Sequence, residues 1–469
     1  MRGLRSTIAL LVVLLGLGAY IYFVTWKRPE GGAEAAKERV FVSLEGDKID
    51  EIKVKSESGD TTTVRKANAK WQVAAPIMVK ADDMQVGAIA TNLSTLETTR
   101  VVDENPADLK EYGLDSPRIS IEFKASGDKT YGDFHRLIIG AKSPTGGDLF
   151  ARRDADKRVI LVAGFTDSIF NRSTFDLRDK TVLNFDREKV DRIAVSASGP
   201  GAASTTSKTP QPPKPSTTSI ELAKDGADWK VTKPIAALAD YSAADSLLSR
   251  LQMAAMKSIV TEPATPADLK KYGFDKPQAT VVVSAGGTTS SLVIGGKAPG
   301  DDVYVRDASK PIVATADGGL LKDLQKGPDD YRRKEIFAFR GYSTDRLEFT
   351  RDGQTIVFEK VKAQGQTPEK WRRVSPNAGD PDAMGMENLL MKLESLRAAS
   401  FADSSGGTGL DKAPLAVYAK FEDGKKEQRV ALAKAGADAY ASVPGQPGPA
   451  RFPAADFDEL MKALDAVSK

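Results

Sequence analysis

Acid–base and metal chemistry has few residues to draw on in this sequence, which contains one histidine, His135, and no cysteine. Without thiols, disulfides, iron–sulfur clusters, thiolate zinc sites and cysteine-linked lipid anchors are excluded. His135 sits beside an expected strand, with no patterned serine or acid to complete a catalytic triad, and reads as a surface or strand-edge residue. Asp154-Ala-Asp156 and Asp301-Asp302 are acidic pairs, but their spacing supplies too few ligands for a calcium loop. Ile294-Gly-Gly296 and Gly406-Gly-Thr-Gly409 lack the lysine and glycine spacing of phosphate-cradling loops. A carboxylate pair for glycoside hydrolysis is a matter of spatial separation. The 64 acids show no distinctive cluster, as on a solvated surface. The sequence therefore assigns no catalytic residue, no cofactor and no metal. Two arginines stand out by position: Arg152 and Arg306 occupy matching places in Phe150-Ala-Arg152 and Tyr304-Val-Arg306. They are candidate groove-lining binding residues; the alternative is an ion pair with Asp154 or Asp307.

The elements that position them follow from an internal repeat. Pro106–Pro117 (PADLKEYGLDSP) returns as Pro266–Pro277 (PADLKKYGFDKP), and a degraded copy, GLDKAP, lies at Gly409–Pro414. Self-similarity at long period signals repeated structural units. Asn105 and Thr265 are suited to cap a short helical turn with proline at its first position. Gly113 and Gly273 then end it in the left-handed region, and Asp115-Ser-Pro117 and Asp275-Lys-Pro277 turn the chain into a strand. Asp115 and Asp275 read as corner residues rather than ligands.

Further landmarks recur. Strands open as DEIKV at Asp50, DRIAV at Asp191 and DRLEF at Asp345, and tryptophan precedes proline at Trp71, Trp229 and Trp371. The separations from Ile52 to Ile193 and on to Leu347 are the size of domains, far longer than solenoid repeats. Each unit opens with a meander of alternating strands; in the third, Asp352-Gly353 marks a hairpin turn. An amphipathic helix follows, with apolar stripes Val86/Ile89/Leu93/Leu96, Ala244/Leu248/Leu251/Ala255 and Met386/Leu389/Leu393/Leu396. More strands and a closing helix (around Phe165–Phe175, Asp317–Leu324 and Asp456–Val467) complete the unit. Strands and helices are grouped rather than alternating, which predicts α+β domains, each an antiparallel sheet with two packed helices.

Ser6–Trp26 carries no charge and is long enough to cross the roughly 30 Å hydrocarbon core of a bilayer as a helix. Tyr20, Tyr22 and Trp26 lie toward its far end, as interfacial aromatics do. The run is long for a cleaved signal, and the nearest A-x-A, Ala33-Glu-Ala35, lies well beyond it. An uncleaved single-pass anchor is expected, with a short cytoplasmic N-terminus and the bulk of the chain periplasmic or extracytoplasmic. The basic residues Lys27, Arg28, Lys37 and Arg39 downstream oppose that orientation, although long domains translocate largely regardless of charge. The expected organisation is residues 1–5 as a short N-terminal segment, 6–26 as the transmembrane anchor, and repeat domains at 40–180, 181–334 and 335–469, the last divergent. The Pro/Ser/Thr-rich tract Gly199–Thr218 makes the stretch from Ile193 to Trp229 much longer than that from Ile52 to Trp71, so it is expected to be a disordered loop inserted in the first hairpin of the second repeat. The net charge of +3 gives no basic field for nucleic acid.

The pattern YGLDSP…IIG…LFARRD…DLRDKTVLNFD, with its partner YGFDKP…VIGG…VYVRD…DYRRKEIFAF, resembles the bacterial family known as domain of unknown function 4340. The resemblance covers the first two units. The third departs from it: it lacks the Tyr-Gly pair, and Tyr440-Ala-Ser442 replaces the strand that carries Arg152 and Arg306. The resemblance implies a membrane helix followed by repeats, and an accessory role beside ABC-type export or gliding-motility components. The expected function is a non-enzymatic, membrane-anchored accessory or scaffold subunit with protein partners in the envelope. The alternatives are a binding module for an envelope polymer or lipid, and a hydrolase relying on carboxylates alone. A reporter that fluoresces only in the cytoplasm, fused after Lys469, is expected to stay dark; bright cells would reject the topology.

Overall fold

The computed structural model describes residues 38–144, 146–154, 156–200, 215–363 and 369–468. The anchor expected at Ser6–Trp26 lies outside them, and among the described residues no helix is long and apolar enough to cross a membrane. The chain divides into two compact units, residues 1–180 and 181–469. The first unit holds one antiparallel sheet and the second holds two, so the second and third expected domains share a compact unit.

In the first unit the strands are β1 (Glu51–Lys55), β2 (Thr61–Ala67), β3 (Lys70–Ala75), β4 (Val79–Lys80), β5 (Arg100–Asp103), β6 (Ile119–Lys124), β7 (His135–Lys142), β8 (Leu149–Arg153) and β9 (Val159–Val162). Their order in the sheet is β4-β3-β2-β1-β6-β7-β8-β9-β5. The opening meander thus runs outward from β1 to one edge. The helix Asp83–Thr95 carries the chain to the opposite edge, β6 returns beside β1, and a second meander runs out to meet β5. The second unit repeats this order with β10 (Val190–Pro200), β11 (Pro215–Asp225), β12 (Asp228–Lys233), β13 (Ala237–Leu238), β14 (Ser258–Thr261), β15 (Ala279–Ala285), β16 (Thr288–Lys297), β17 (Asp302–Asp307) and β18 (Val313–Asp317). Its other sheet has β19 (Thr344–Arg351), β20 (Gln354–Val361), β21 (Lys370–Ser375), β22 (Ser400–Phe401), β23 (Leu415–Phe421), β24 (Lys426–Ala435), β25 (Asp438–Ser442) and β26 (Ala450–Pro453). This is the same order short of one edge strand.

Strict alternation decides which face is covered. Ile119, Ile121 and Phe123 on β6, Val281 and Val283 on β15, and Leu415, Val417 and Ala419 on β23 are buried. The residues between them face outward. Each inner face is covered by the helix that crosses it: Val86, Ile89, Leu93 and Leu96 in the first repeat and Met386, Leu389, Leu393 and Leu396 in the third are all buried. In the second, Ala244, Leu248 and Leu251 are buried, but the helix ends at Gln252. Ala255 is therefore exposed, and Ala254 takes the buried place. Asp82, Asp240 and Asp382 cap the three helices by accepting backbone N–H bonds.

The closing helices differ more than expected. In the first two repeats each is broken in two, Thr166–Phe170 with Thr174–Leu177 and Gly319–Leu324 with Pro328–Tyr331. In the third a single helix, Ala454–Ser468, packs on Ala383–Ser395. The capped turn is a true helix only at Pro266–Lys271, where Thr265 and Asp268 bond reciprocally. In the first repeat it shrinks to a single turn at Lys110–Tyr112, and Asn105 does not cap it; Asp108 instead accepts from the Lys110 N–H. The tract expected to be disordered over Gly199–Thr218 enters the sheet at both ends, with Ser198 opposite Thr217 and Gly199 opposite Ser216. Residues 201–214 of it lie outside the described ones.

One device recurs in all three repeats. Lys66, Lys224 and Lys360 are paired across the strands with Trp71, Trp229 and Trp371. Each ammonium stands over its partner's ring, at 5.0, 5.4 and 6.0 Å from the centroid. Just beyond each pair the register shifts, and the peptide bonds before Pro76, Pro234 and Pro376 are cis. Trp71 and Trp229 are buried, whereas Trp371 is only partly so. Replacing Trp229 with alanine is expected to lower stability by roughly 3–5 kcal/mol, and the same change at Trp371 by clearly less. Denaturant unfolding of both variants measures this; equal losses would overturn the ranking.

Candidate functional site

Arg152 and Arg306 occupy equivalent places on β8 and β17, opposite Ile138 and Val293. They share the outer sheet face with Phe150 and Tyr304, two residues earlier on the same strands. Those rings pack against Tyr112 (5.1 Å) and Tyr272 (4.6 Å). The Tyr-Gly pair lies close to the next strand because that strand carries glycine: a Cβ at Gly140 would stand 2.2 Å from the Tyr112 carbonyl oxygen, and one at Gly295 2.4 Å from that of Tyr272. In the third repeat Thr408 and Ala433 stand where tyrosine and glycine would be, while Gly409 keeps its left-handed conformation. The loss of the ring and the loss of the glycine belong to the same contact.

Neither arginine forms an ion pair with a neighbouring aspartate among the described residues. Asp307 is taken by Ser309 and Lys310, and Arg306 Nη2 donates to the Ala308 carbonyl at 3.0 Å. The Nε atoms of both arginines are buried without a hydrogen bond. They occupy matching positions in their own sheets. His135 starts β7, with Nε2 2.9 Å from the Thr130 carbonyl oxygen and its ring against Tyr131. Asp156 binds Arg153 and Arg158, and Asp302 binds Lys257. No group of three or more histidines and acids suited to a metal occurs among the described residues.

Three hollows of the second unit have functional interest. A groove beside the Tyr241–Gln252 helix contains Asp245, Arg250, Asp323 and Lys326, all engaged in ion pairs: Arg187 with Asp245 (2.5 Å), Arg250 with Asp323 (2.9 Å) and Lys326 with Asp323 (3.4 Å). Burial pushes the Tyr331 hydroxyl in its wall up to about 12. A trough of about 600 Å³ lies on the outer face of the third repeat's sheet, over Arg346, Glu348, Tyr418 and Arg429.

The third hollow, of about 390 Å³, borders the junction between the second and third repeats and includes Arg332. The Arg332 side chain is 4% exposed. Its guanidinium lies 3.4 Å from the Phe401 ring centroid. It donates to the Pro447 carbonyl (2.5 Å), to Gln446 Oε1 (3.4 Å) and to Asp329 (3.2 Å). Burial draws its pKa down, with Asp329 opposing. Gln446 returns two bonds, to the carbonyls of Leu238 and Arg333. The planar fork and aromatic stacking are properties that lysine lacks. The sequence marks this place as a repeat boundary, but nothing in DYRRK distinguishes a buried arginine from a solvated one. In the first unit Arg178 stands at the same point of the repeat, buried and bridged to Ala81.

These features describe a chain of tandem antiparallel-sheet repeats with covered inner faces and charged outer ones. The chain belongs to the family described as Domain of unknown function (DUF4340), whose model matches residues 71–225 and 229–416. Both matches begin at the lysine-capped tryptophan; the first ends in the opening hairpin of the second repeat, and the second runs through the opening meander and helix of the third repeat to the start of β23. No curated protein and no solved structure matches the chain.

Arg332→Ala is expected to weaken the junction by roughly 1.5–3 kcal/mol, the range for hydrogen bonds to a charged group, and Arg332→Lys to restore little of it. Calorimetry should then resolve a separate, earlier transition for the third repeat. An unchanged single transition would reject the arginine as the fastening residue.

Proposed function

We propose that this protein is a membrane-tethered, non-enzymatic accessory subunit whose repeats bind protein partners outside the cytoplasm, with Ser6–Trp26 as its anchor and an ABC-type export or motility complex as the partner. The observation that carries this reading is the contrast between the two faces of the sheets. Features common to the repeats serve the fold: the lysine–tryptophan pairs, the aspartate caps and the tight glycine turns. Residues at matching outward positions differ, as at Lys53, Ala194 and Glu348. A shared scaffold with divergent surfaces suits a protein that makes several different contacts, and linked weak contacts gain avidity. The Arg332 junction supports the same reading, because it holds the second and third repeats as one body and so keeps two surfaces at a fixed spacing. The paired charges of the grooves favour contact over catalysis.

Detergent extraction of the full chain tagged at Lys469, followed by identification of co-purifying proteins, tests this. Stoichiometric recovery of membrane transport components is the expected result. Recovery of the chain alone, together with a hydrolytic activity abolished by one Asp or Glu substitution, would reject it.

A further inference from the structure

One hairpin differs between the first repeat and the other two. In the second repeat β15 and β16 are joined by Gly286-Gly287, and in the third β23 and β24 are joined by Glu422–Lys425. In the first, the equivalent strands β6 and β7 are joined by residues 125–134. The insertion is ordered by its own bonds. Asp128 Oδ1 accepts the N–H groups of Thr130 (2.8 Å) and Tyr131 (3.0 Å), and the Ala125 N–H donates to the Tyr131 carbonyl at 2.6 Å. Tyr131 points inward. It is buried against Phe41 and His135, and its hydroxyl donates to the Val42 carbonyl at 2.7 Å. Phe134 is the outward residue, 50% exposed, so it adds little to the core. The Lys124 ammonium, bound to Glu51 at 3.0 Å, stands 5.0 Å from its ring centroid and pins the ring in place.

This loop stands at the end of the sheet along which the chain enters. Glu38 pairs with Arg158 (3.5 Å), just before β9, and the Val40 carbonyl accepts from Arg153 (3.1 Å), at the end of β8. The Val42 carbonyl accepts from Tyr131, just before β7, and the Val42 side chain is 58% exposed. Both β7 and β9 start at this end, because each is antiparallel to β8. Only residues 27–37 separate Glu38 from Trp26, where the expected anchor ends. Fully extended at about 3.5 Å per residue, that stretch reaches no more than about 40 Å. The acids of this end are matched: Glu38 and Asp156 with Arg158, and Glu45 with Lys48. What it offers a bilayer is therefore apolar surface rather than net charge.

We propose that residues 125–134 seat the first repeat on the membrane, with Phe134 and Val42 entering the headgroup region, as exposed apolar side chains do at interfaces. The inference rests on the anchor reading given under Proposed function and adds an orientation to it. The chain has no cysteine, so a single introduced thiol reports on one place. The full chain is reconstituted into phosphatidylcholine nanodiscs with a nitroxide on Asp133→Cys, beside Phe134, or on Phe165→Cys. Phe165 is 64% exposed and follows the end of β9, at the opposite end of the strands. Collision of each label with oxygen, which partitions into lipid, is compared with collision with a water-soluble nickel chelate.

The oxygen-to-nickel ratio is expected to be several-fold higher at position 133 than at position 165. It should be unchanged by high salt and by replacing phosphatidylcholine with phosphatidylglycerol. In the Asp133→Cys background, Phe134→Ser should lower the ratio to that of position 165, and Phe134→Leu should keep most of it. Equal ratios at the two positions would overturn the inference while leaving the anchor standing. The same holds for a ratio that survives Phe134→Ser, or one that needs phosphatidylglycerol and vanishes in salt. A chain that is not retained in the discs at all would overturn both.

Discussion

Each sheet depends on one long-range pairing. The first strand of every repeat lies antiparallel to the strand that follows the capped turn, with Ile52 opposite Phe123, Ile193 opposite Val283 and Leu347 opposite Ala419. All six side chains are buried. Until that pair forms, the repeat is two separate meanders with a helix between them, and neither has a complete inner face. Closing such a loop costs chain entropy that grows only slowly with its length. The compensation comes when the crossing helix lays its apolar stripe over the joined sheet. Burial of a side chain such as Ile89 or Leu389 contributes about 1.5–3 kcal/mol.

The same topology explains why the turn motif is so well kept between the first two repeats. The chain has to leave the far edge strand and re-enter the sheet at its centre. The left-handed glycine, the following aspartate and the proline make that corner within a few residues. Glycines on the adjoining strand let the corner sit against the sheet backbone. Where the third repeat replaces glycine by Ala433, the tyrosine that exploited the close approach is gone as well. The departure is a coordinated repacking of one contact, and the sheet order is preserved around it.

Burial and exposure divide the arginines into two kinds. Arg332 is enclosed, stacked on Phe401 and bonded to a backbone carbonyl of the next repeat, and acts as a fastening between repeats. Truncating such a group leaves its acceptors unpaired, which is why enclosed charges are costly to disturb even where they contribute little net stability. The outward arginines, Arg346 and Arg429 among them, belong to charged rows in which each cation's fate depends on whether a carboxylate remains free for it.

Much of the fold was legible in the residues because it rests on local periodicity and turn chemistry. The stripes through Ile89 and Leu389, the alternation through Ile121 and Val281, the Asp352-Gly353 turn and the repeat itself are all short-range patterns, and they determined the α+β class and the matching of the repeats. The helix Asp83–Thr95 was visible, but its role as a bridge between sheet edges was not, since the order of strands is a property of pairings far apart in sequence. The position of Ala255 was misjudged because the end of a helix depends on a capping bond rather than on a stripe. The site was far less legible. Arg152 and Arg306 attracted notice by matching, yet the structure leaves each on its own sheet face. The buried Arg332 was visible only as one more cation among many. Whether a charge is enclosed, paired or left over is decided by which residues stand across from it on neighbouring strands, and only the tertiary structure sets those neighbours.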